Sequence, residues 1–479
     1  MNKYSIATVL IVISLTGGVT ESKTQWPEHI QIVLDNTEPL TFDRGERLPV
    51  YLWQAMNPGT LDQGAAEGLL KELNERGIGL VTSWNPGKRE LSLAESLTIA
   101  KAQKELGLRV NINATSCLYS FFNGDERTAH IDDEGKPFWD TSFGKPKMGC
   151  PFALDFRRPD MMERLDYFIK AFKNADVNVD FIFADWEIDG PIEFNEAHSA
   201  SKRCRRCRHN IRDIDNFEHF QKVLRTLRSA LQREVYAEPI TENFPGALVG
   251  NYGVYPHNGT RYWYDYYEYY VEGQPCRIDQ RAQYRKWVDE FPETGYTFAM
   301  PVVYTWRRIF DWYDYTDTDY RWFYNMLLVA SNVGKHTPDE VPIISFVHWH
   351  TIESDDYPGP AKQFREEKYQ ELLWHMLLRG TDAFFLWCRK KESPKEIRLV
   401  HQVYAQARRY GRFLSEGQPI LFDVPKQPGT IISALKMKNR LLVRRTDFIK
   451  RTEPVEITVD NRKIIIADTP GRCQIIALR

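Results

Sequence analysis

The chain of 479 residues lacks an excess of charge of one sign, since 63 Lys and Arg stand against 65 Asp and Glu, a formal net charge of −2. Proteins dedicated to nucleic acids usually carry a basic excess, because Lys and Arg displace the counterions of the phosphate backbone. The balanced charge therefore argues against a nucleic-acid partner. With 42% hydrophobic residues, the chain can bury a sizeable core, which excludes global disorder.

Long hydrophobic runs are also absent. The apolar stretch Ile6–Leu15 is shorter than the roughly 20 residues of a membrane helix, and no later segment approaches that length. Lys3 before this stretch and the small residues 17–20 after it are typical of a signal peptide. An N-terminal anchor is the alternative. We expect a secreted or periplasmic protein that has no membrane partner.

Cysteine is scarce, and seven residues are too few for a disulfide scaffold in a chain of this length. Cys204 and Cys207 form a CxxC motif between His198 and His209, with the ligand types and close spacing of a small zinc site. A local disulfide between the two cysteines accounts for the motif at least as well in an oxidising compartment. Beyond this candidate zinc site, we expect no metal and no other cofactor.

Eight apolar runs rich in β-branched and aromatic residues alternate with segments of helical periodicity. Those segments place Leu, Ile, Phe or Ala every three or four residues, the stripe of a helix that covers a sheet. Eight β-α units in succession predict an α/β fold, a (β/α)8 TIM barrel whose strands are buried on both faces. The predicted strands are Pro49–Met56, Ile78–Trp84, Arg109–Ser116, Asp180–Glu187, Ala247–Tyr255, Tyr296–Tyr304, Pro342–His350 and Asp382–Cys388.

The pattern changes after Gly417, where short strands and turns follow one another without a helix. Such a run is typical of an antiparallel β unit, and we predict a small, sandwich-like C-terminal β domain. The predicted organisation is a signal peptide at 1–20, a lead-in at 21–47, the catalytic barrel at 48–415 and the β domain at 416–479.

The fourth predicted strand ends in Asp185-Trp186-Glu187, the candidate catalytic segment. In TIM barrels the active site lies at the carboxyl ends of the strands. Because side chains alternate along a strand, Asp185 and Glu187 are expected to point the same way, about 6.5–7 Å apart. Repulsion between them raises the pKa of one carboxyl, which can then act as the general acid that glycosidic cleavage needs. Salt bridges from both carboxylates to arginines at the rim are the alternative.

The segment Asp180–Glu187 resembles the strand-four motif of the hyaluronidase and chitinase groups of glycoside hydrolases, which ends in Asp-Trp-Glu. Phe181 and Phe183 stand where chitinases have Gly and Asp, so the segment is closer to the hyaluronidase form. Only Asp-Trp-Glu is specific in this resemblance. Segments similar to the later hyaluronidase strands in order and spacing are Asn251–Pro256, Pro301–Tyr304 and Phe384–Trp387.

The resemblance implies that Glu187 protonates the glycosidic oxygen and that Asp185 orients the substrate's own 2-acetamido group, which attacks the anomeric carbon. Tyr304 and Tyr252 would hydrogen-bond that group, and Trp387 would form the floor of the sugar subsite. A core role is the alternative for Tyr304 and Trp387. The charges that the reaction requires agree with these roles of Glu187 and Asp185, because the leaving oxygen needs a proton and the cationic sugar needs a nearby negative charge. Further substrate-binding candidates near strand ends are Tyr255, Trp349 and His350.

Glu353, beyond the seventh predicted strand, offers a second mechanism. A covalent retaining glycosidase holds its nucleophile about 5–5.5 Å from the acid, and Glu353 would have to reach that distance from Glu187. Glu353 stands in the polar segment Thr351–Tyr357, however, where a solvated acid is the simpler interpretation.

Arg205 lies in a run of basic residues around the CxxC motif, after the fourth strand. Such a run is commonly a solvated face, but at the catalytic rim it would bind carboxylate or sulfate groups. Aromatic strips at 262–270 and 312–315 offer flat faces that can stack on sugars. We therefore predict a secreted glycoside hydrolase whose substrate is a polysaccharide with N-acetylhexosamine and acidic groups. A non-catalytic glycan-binding barrel is the alternative from another class of protein.

Overall fold

The computed structural model describes residues 26–53, 59, 61–118, 124–141, 147–155, 157–186, 197–258, 290–307, 310, 315–352, 362–450 and 452–478. Two of the predicted catalytic candidates, Glu187 and Glu353, lie outside the described residues. The same holds for the predicted signal peptide and for most of the two aromatic strips.

Parallel strands form two sheets, with the orders β2-β1-β11-β10-β9 and β3-β4-β7-β8. Leu80 alone separates β2 from β3, so these two short strands link the sheets. Each of the eight predicted strands overlaps a strand of this set. The bounds are β1 (Val50–Leu52), β2 (Ile78–Gly79), β3 (Val81–Ser83), β4 (Asn111–Asn113), β7 (Phe181–Ala184), β8 (Leu248–Asn251), β9 (Val302–Trp306), β10 (Ile344–Ile352) and β11 (Ala383–Leu386).

A continuous ladder between β8 and β9 is not found among the described residues, so the structure does not show a closed eight-stranded barrel. Individual hydrogen bonds link β8 to the segment before β9. Thr297 N donates to Val249 O at 2.9 Å, and Val249 N donates to Thr297 Oγ1 at 2.8 Å. Gly250 permits this approach, since a Cβ atom there would lie 2.6 Å from the Phe298 ring.

Helices follow most of the parallel strands. Side chains cap several of them: Asp62 accepts from Ala65 N at 2.8 Å at the start of α2, and Asp317 accepts from Tyr320 N at 2.8 Å at the start of α10. Each such cap stabilises its helix by about 1 kcal/mol. The bounds are α1 (Glu28–Asp35), α2 (Gln63–Glu75), α3 (Arg89–Glu105), α4 (Thr115–Leu118), α5 (Arg157–Asn174), α6 (Ala197–Arg203), α7 (Arg205–Asn210), α8 (Phe217–Gln232), α9 (Glu238–Asn243), α10 (Thr318–His336), α11 (Glu366–Leu377), α12 (Ser393–Ala407) and α13 (Gly411–Glu416).

Among these described helices, none combines the length and the apolar character that a membrane span requires.

Aromatic rings fill the space between the inner faces of the parallel strands. Tyr51 stacks on Phe181 with 4.1 Å between ring centroids, and Phe183 lies 4.5 Å from Phe385 in the next layer. Phe346 contacts Phe385 at 5.3 Å. Each such pair adds about 0.5–1.5 kcal/mol beyond the burial of its surface. These layers form the floor beneath the carboxyl ends of the strands.

Two smaller antiparallel units complete the fold. β5 (His130–Ile131) and β6 (Pro137–Phe138) form a hairpin between β4 and α5. At the C-terminus, β12 (Gln418–Pro419), β13 (Thr430–Met437), β14 (Arg440–Asp447) and β17 (Cys473–Ala477) form one antiparallel sheet, and β15 (Val455–Val459) pairs with β16 (Arg462–Ile466).

Buried polar groups join the C-terminal sheet to the helices. His375 of α11 lies between Ser433 Oγ at 2.7 Å and Thr446 Oγ1 at 3.0 Å. The guanidinium of Arg379 donates to Ser433 Oγ at 2.7 Å and to Phe422 O at 2.8 Å. Because unpaired polar groups are costly in such a place, these contacts fix the sheet against α11.

Candidate active site

Asp185, the described member of the predicted acid pair, follows directly after β7. Phe181 and Phe183 contribute to the aromatic layers, and alternation places Asp185 on the same inner face of the strand. The Asp185 backbone N–H donates to Thr115 Oγ1 at 2.8 Å. Tyr252 N donates to Ala184 O at 2.9 Å, which brings Tyr252 to the level of Asp185 on the neighbouring strand.

Asp185 is partly exposed as a residue, but one oxygen of its carboxyl group is shielded from water. Its Oδ1 atom is buried and has no hydrogen-bond partner among the described residues. Burial raises the pKa of Asp185 to about 7, because desolvation disfavours the charged form. The role that the resemblance to hyaluronidases implies for Asp185 requires an ionised carboxylate. Burial opposes ionisation unless a positive charge lies nearby. A carboxyl that titrates near neutral pH is suited to acid-base chemistry.

Four aromatic side chains form a contiguous group: three follow the carboxyl ends of β1, β8 and β11, and Tyr304 lies two residues before the end of β9. Tyr304 stacks on Trp387 with 5.6 Å between centroids, and Trp53 lies 6.0 Å from Trp387. Tyr252 lies 6.4 Å from Tyr304. The structure therefore brings together three predicted substrate-binding residues and adds Trp53. Trp53 stands inside the first predicted strand, and its position directly after the apolar run Val50–Leu52 was the signal available in the sequence.

A buried carboxylate from α12 holds two histidines of β10. Glu396 Oε1 lies 2.7 Å from His350 Nδ1 and 3.1 Å from His348 Nδ1, and it accepts from the His350 backbone N–H at 2.7 Å. Burial acts to raise the Glu396 pKa, but the bonds from His348 and His350 outweigh it, and the pKa is lowered. Glu396 therefore stays ionised and orients both imidazoles, as in other carboxylate-histidine pairs.

Glu396 was not identified from the sequence. It occupies a position of α12 that faces the core, with the buried residues Ile397, Leu399 and Val400 close behind it. An acidic residue on the apolar face of a helix was the available signal, because such a charge needs buried partners.

Other predicted substrate-binding residues do not join the aromatic group. Tyr255 is buried beside His257, at 5.1 Å between ring centroids. Trp349 is buried on the opposite face of β10 from His348, and its Nε1 donates to Phe364 O at 2.8 Å. Strand alternation explains this placement of Trp349.

The basic run after the fourth strand is divided between contacts within the protein and solvent. Arg205 is exposed on α7. Arg203 lies over the Phe138 ring at 4.5 Å, and Arg208 forms an ion pair with Asp133. Part of the run therefore fixes α6 and α7 against the β5–β6 hairpin, whereas Arg205 stays accessible.

The two histidines predicted for the zinc site, His198 and His209, do not belong to the ligand cluster that the structure forms around Cys204 and Cys207. His198 Nε2 lies 2.6 Å from Ile214 O, and His209 is exposed. Cys204 and Cys207 meet two other buried residues, His130 and Cys150, and the four ligand atoms lie within 4.8 Å of one another. The four residues come from chain segments that are distant in sequence, so the spacing around the CxxC motif does not point to His130 or Cys150. The cysteines of this group form no disulfide.

Comparisons with known proteins give weak likenesses only. No family model and no curated protein matches the chain. Among solved structures, it is similar to alpha-L-fucosidase isoenzyme 2 from Paenibacillus thiaminolyticus, with 12% identity, a TM-score of 0.45, and coverage of 78% of this chain and 51% of that one. A beta-galactosidase from the psychrophilic Marinomonas ef1 gives 9% identity and a TM-score of 0.45, covering 77% of this chain and 62% of that one.

Bee venom hyaluronidase is also among the similar solved structures, with 11% identity and a TM-score of 0.34, covering 70% of this chain and 99% of that one. The chain spans 51% of the fucosidase and 57% of an alpha-galactosidase domain from a galactosidase-sucrose kinase, so it corresponds to about half of these proteins. The named enzymes are glycosidases, and similarity at this level does not show membership in any one of their families.

Proposed function

We propose that this protein is a secreted glycoside hydrolase that cleaves a polysaccharide containing N-acetylhexosamine and acidic groups. The observation that carries the proposal is the buried Asp185 carboxyl, with a pKa of about 7, at the carboxyl end of β7. Asp185 lies at the level of Tyr252, and Tyr252 belongs to the aromatic group that also contains Tyr304 and Trp387. A proton-exchanging group beside flat apolar faces suits a sugar ring whose glycosidic bond is broken.

The proposed scaffold is a (β/α)8 barrel over residues 48–415 with a β domain at 416–479. The order of the nine parallel strands in the two linked sheets supports this arrangement, because within each sheet strands that are close in sequence lie side by side and β1 lies beside β11. The bonds between Thr297 and Val249 add support, because they link β8 to the segment that leads into β9. On this scaffold Asp185 and the aromatic group belong to the face where barrel enzymes place their active sites.

In the proposed mechanism, Glu187 is the general acid that protonates the leaving oxygen. Asp185 orients the 2-acetamido group of the substrate, which acts as the nucleophile. Charge develops on the sugar and its acetamido group during bond cleavage, and this nearby positive charge favours ionisation of Asp185. With a pKa of about 7, Asp185 exchanges its proton with solvent near neutral pH, and the positive charge of the transition state selects the ionised form.

The substrate contacts follow from the placement of the rings. Trp387 and Tyr304 stack on each other, and Trp387 retains an exposed part that can form the floor of a sugar subsite. His350, oriented by Glu396, is half-buried and can bond a sugar hydroxyl through Nε2. The exposed Arg205 supports an acidic substrate, because its guanidinium binds carboxylate and sulfate groups.

A covalent mechanism with Glu353 as nucleophile is the competing enzymatic proposal, and a glycan-binding barrel without activity is the non-enzymatic one. The raised pKa of Asp185 favours catalysis over binding alone, because an acid whose buried Oδ1 has no partner among the described residues costs stability, and a binding module gains nothing from it.

Incubation of the purified protein with hyaluronan, chondroitin, chitin and sulfated algal glycans, followed by measurement of new reducing ends, tests this function. We expect cleavage of at least one N-acetylated glycan and none of the same glycan after removal of its acetyl groups. Cleavage of both at equal rates would support the covalent route, whereas binding without any new reducing ends would support the glycan-binding module.

A further inference from the structure

Three thiols and one imidazole converge in a small core outside the aromatic group. Cys150 Sγ lies 3.4 Å from Cys207 Sγ and 3.9 Å from Cys204 Sγ, and Cys207 Sγ lies 3.9 Å from His130 Nδ1. A zinc ion bound tetrahedrally at its usual bond lengths separates such ligand atoms by about 3.6–3.8 Å. These three separations are thus close to those that one zinc ion requires, and all four ligand atoms lie within 4.8 Å of one another.

The surroundings of the four residues match a closed structural site. His130, Cys204 and Cys207 are 0% exposed and Cys150 is 1% exposed. The cluster is surrounded by apolar residues, and the Phe138 ring stacks on His130 with 5.1 Å between centroids. A site with four protein ligands and no access to water has no open position for a substrate, so the bound ion would be structural.

A disulfide explains the cluster less well than a metal does. Any disulfide within it uses two of the three thiols and leaves a thiol and an imidazole facing the new bond. The thiol of Cys150 has Cys204 and Cys207 as neighbours, so the geometry favours neither pair. One zinc ion accounts for all four groups, because thiolates and imidazole nitrogen are its preferred ligands.

We infer that His130, Cys150, Cys204 and Cys207 bind one structural zinc ion. Two of these ligands come from the segment between β4 and α5, and the other two come from the segment between β7 and α8. The ion would therefore fasten two segments that leave the carboxyl ends of neighbouring strands. Rigid elements and well-ordered ligands of this kind hold functional segments in place.

The proposed zinc site lies close in sequence to the segment that contains the catalytic candidate Glu187. Residues 187–196 join Trp186, fixed by a 2.8 Å bond from its backbone N–H to Asn251 Oδ1, to the start of α6 at Ala197. Zinc at Cys204 and Cys207 would anchor the end of α6, the helix that follows the segment containing Glu187. This link to activity rests on the proposed function, whereas the metal binding itself does not.

The full chain, purified without an affinity tag and without added metal, should contain one zinc ion per chain by elemental mass spectrometry. Cys150→Ser should lose the zinc, and His209→Ala should keep it, because His209 is the exposed neighbour of the site. In wild-type protein, an organomercurial reagent that titrates thiols should release the zinc in proportion. This last measurement needs no variant, so it holds even where Cys150→Ser fails to fold.

Replacement of the zinc by cobalt in the purified protein gives a spectroscopic readout that is independent of activity. We expect the absorption bands of tetrahedral cobalt bound to thiolates, with His209→Ala giving the same spectrum as wild-type protein. Absence of stoichiometric zinc together with a disulfide among Cys150, Cys204 and Cys207 would overturn the inference. Zinc retained in a folded Cys150→Ser variant would overturn the assignment of this ligand set.

Discussion

The buried carboxyl of Asp185 predicts a stability that depends on pH in a specific direction. Its pKa is about 7 in the folded protein, against about 3.9 for an ordinary aspartate in an unfolded chain. Between these values the folded state holds a proton that the unfolded state has lost. Because the unfolded state then binds fewer protons, the free energy of unfolding falls as the pH rises through this window.

The size of the effect follows from the same two values. A difference of about 3 in pKa, at about 1.36 kcal/mol for each unit, gives an upper limit of about 4 kcal/mol at pH 8. Asparagine cannot ionise, so Asp185→Asn lacks this loss. The variant should match wild-type protein at pH 4 and should exceed its free energy of unfolding by about 2–4 kcal/mol at pH 8.

Urea unfolding at pH 4, 5, 6, 7 and 8 measures this difference. The matched control is Asp180→Asn, at the other end of the same strand, where the carboxylate accepts a hydrogen bond from Val110 N at 2.8 Å. This control should show no stabilisation that grows with pH. Parallel pH profiles for wild-type protein and Asp185→Asn would refute the argument that burial keeps this carboxyl neutral.

Three further substitutions test other parts of the site. Glu187→Gln should lower turnover at least about 100-fold without changing the melting temperature, as loss of a general acid does; unchanged turnover removes Glu187 from the mechanism. Trp387→Ala should raise KM more than it lowers kcat. Trp349→Phe, whose side chain lies on the opposite face of β10 from His348, should leave KM unaltered. Equal KM values for both variants would contradict the assignment of Trp387 to a sugar subsite. Glu396→Gln should lower the free energy of unfolding by about 1–3 kcal/mol in thermal unfolding, because a buried ionic acceptor is lost. Glu366→Gln removes one partner of a partly exposed ion pair and should change the free energy of unfolding by less than about 1 kcal/mol. Equal losses for the two variants would contradict the buried network.

The sequence predicts the strands well, because each buried parallel strand is a short apolar run bounded by turns or helical periodicity. Phe181–Ala184 is such a run, and its end at Asp185 could be located without coordinates. The alternation that places Asp185 on the inner face is likewise a property of the strand alone. The edges at which the two sheets would meet were harder to predict. The sixth predicted strand begins at Tyr296, whereas the strand in the structure begins only at Val302.

Contacts between distant segments could not be predicted in the same way. The spacing of Cys204 and Cys207 makes these two residues recognisable in the sequence. His130 and Cys150 join them only because β4 and β7 are neighbours in the sheet. Glu396 likewise meets His350 across 46 residues of sequence. The pKa of Asp185 depends on how much water reaches its carboxyl, which no local pattern of residues determines.

The central claim is that the carboxyl of Asp185 takes part in breaking a glycosidic bond. The most direct measurement is the turnover of wild-type protein, Asp185→Asn and Asp180→Asn on the glycan that the screen identifies, with circular dichroism to confirm that each protein is folded. We predict a loss of at least about 100-fold for Asp185→Asn and wild-type turnover for Asp180→Asn. Wild-type turnover in a folded Asp185→Asn variant would contradict the account.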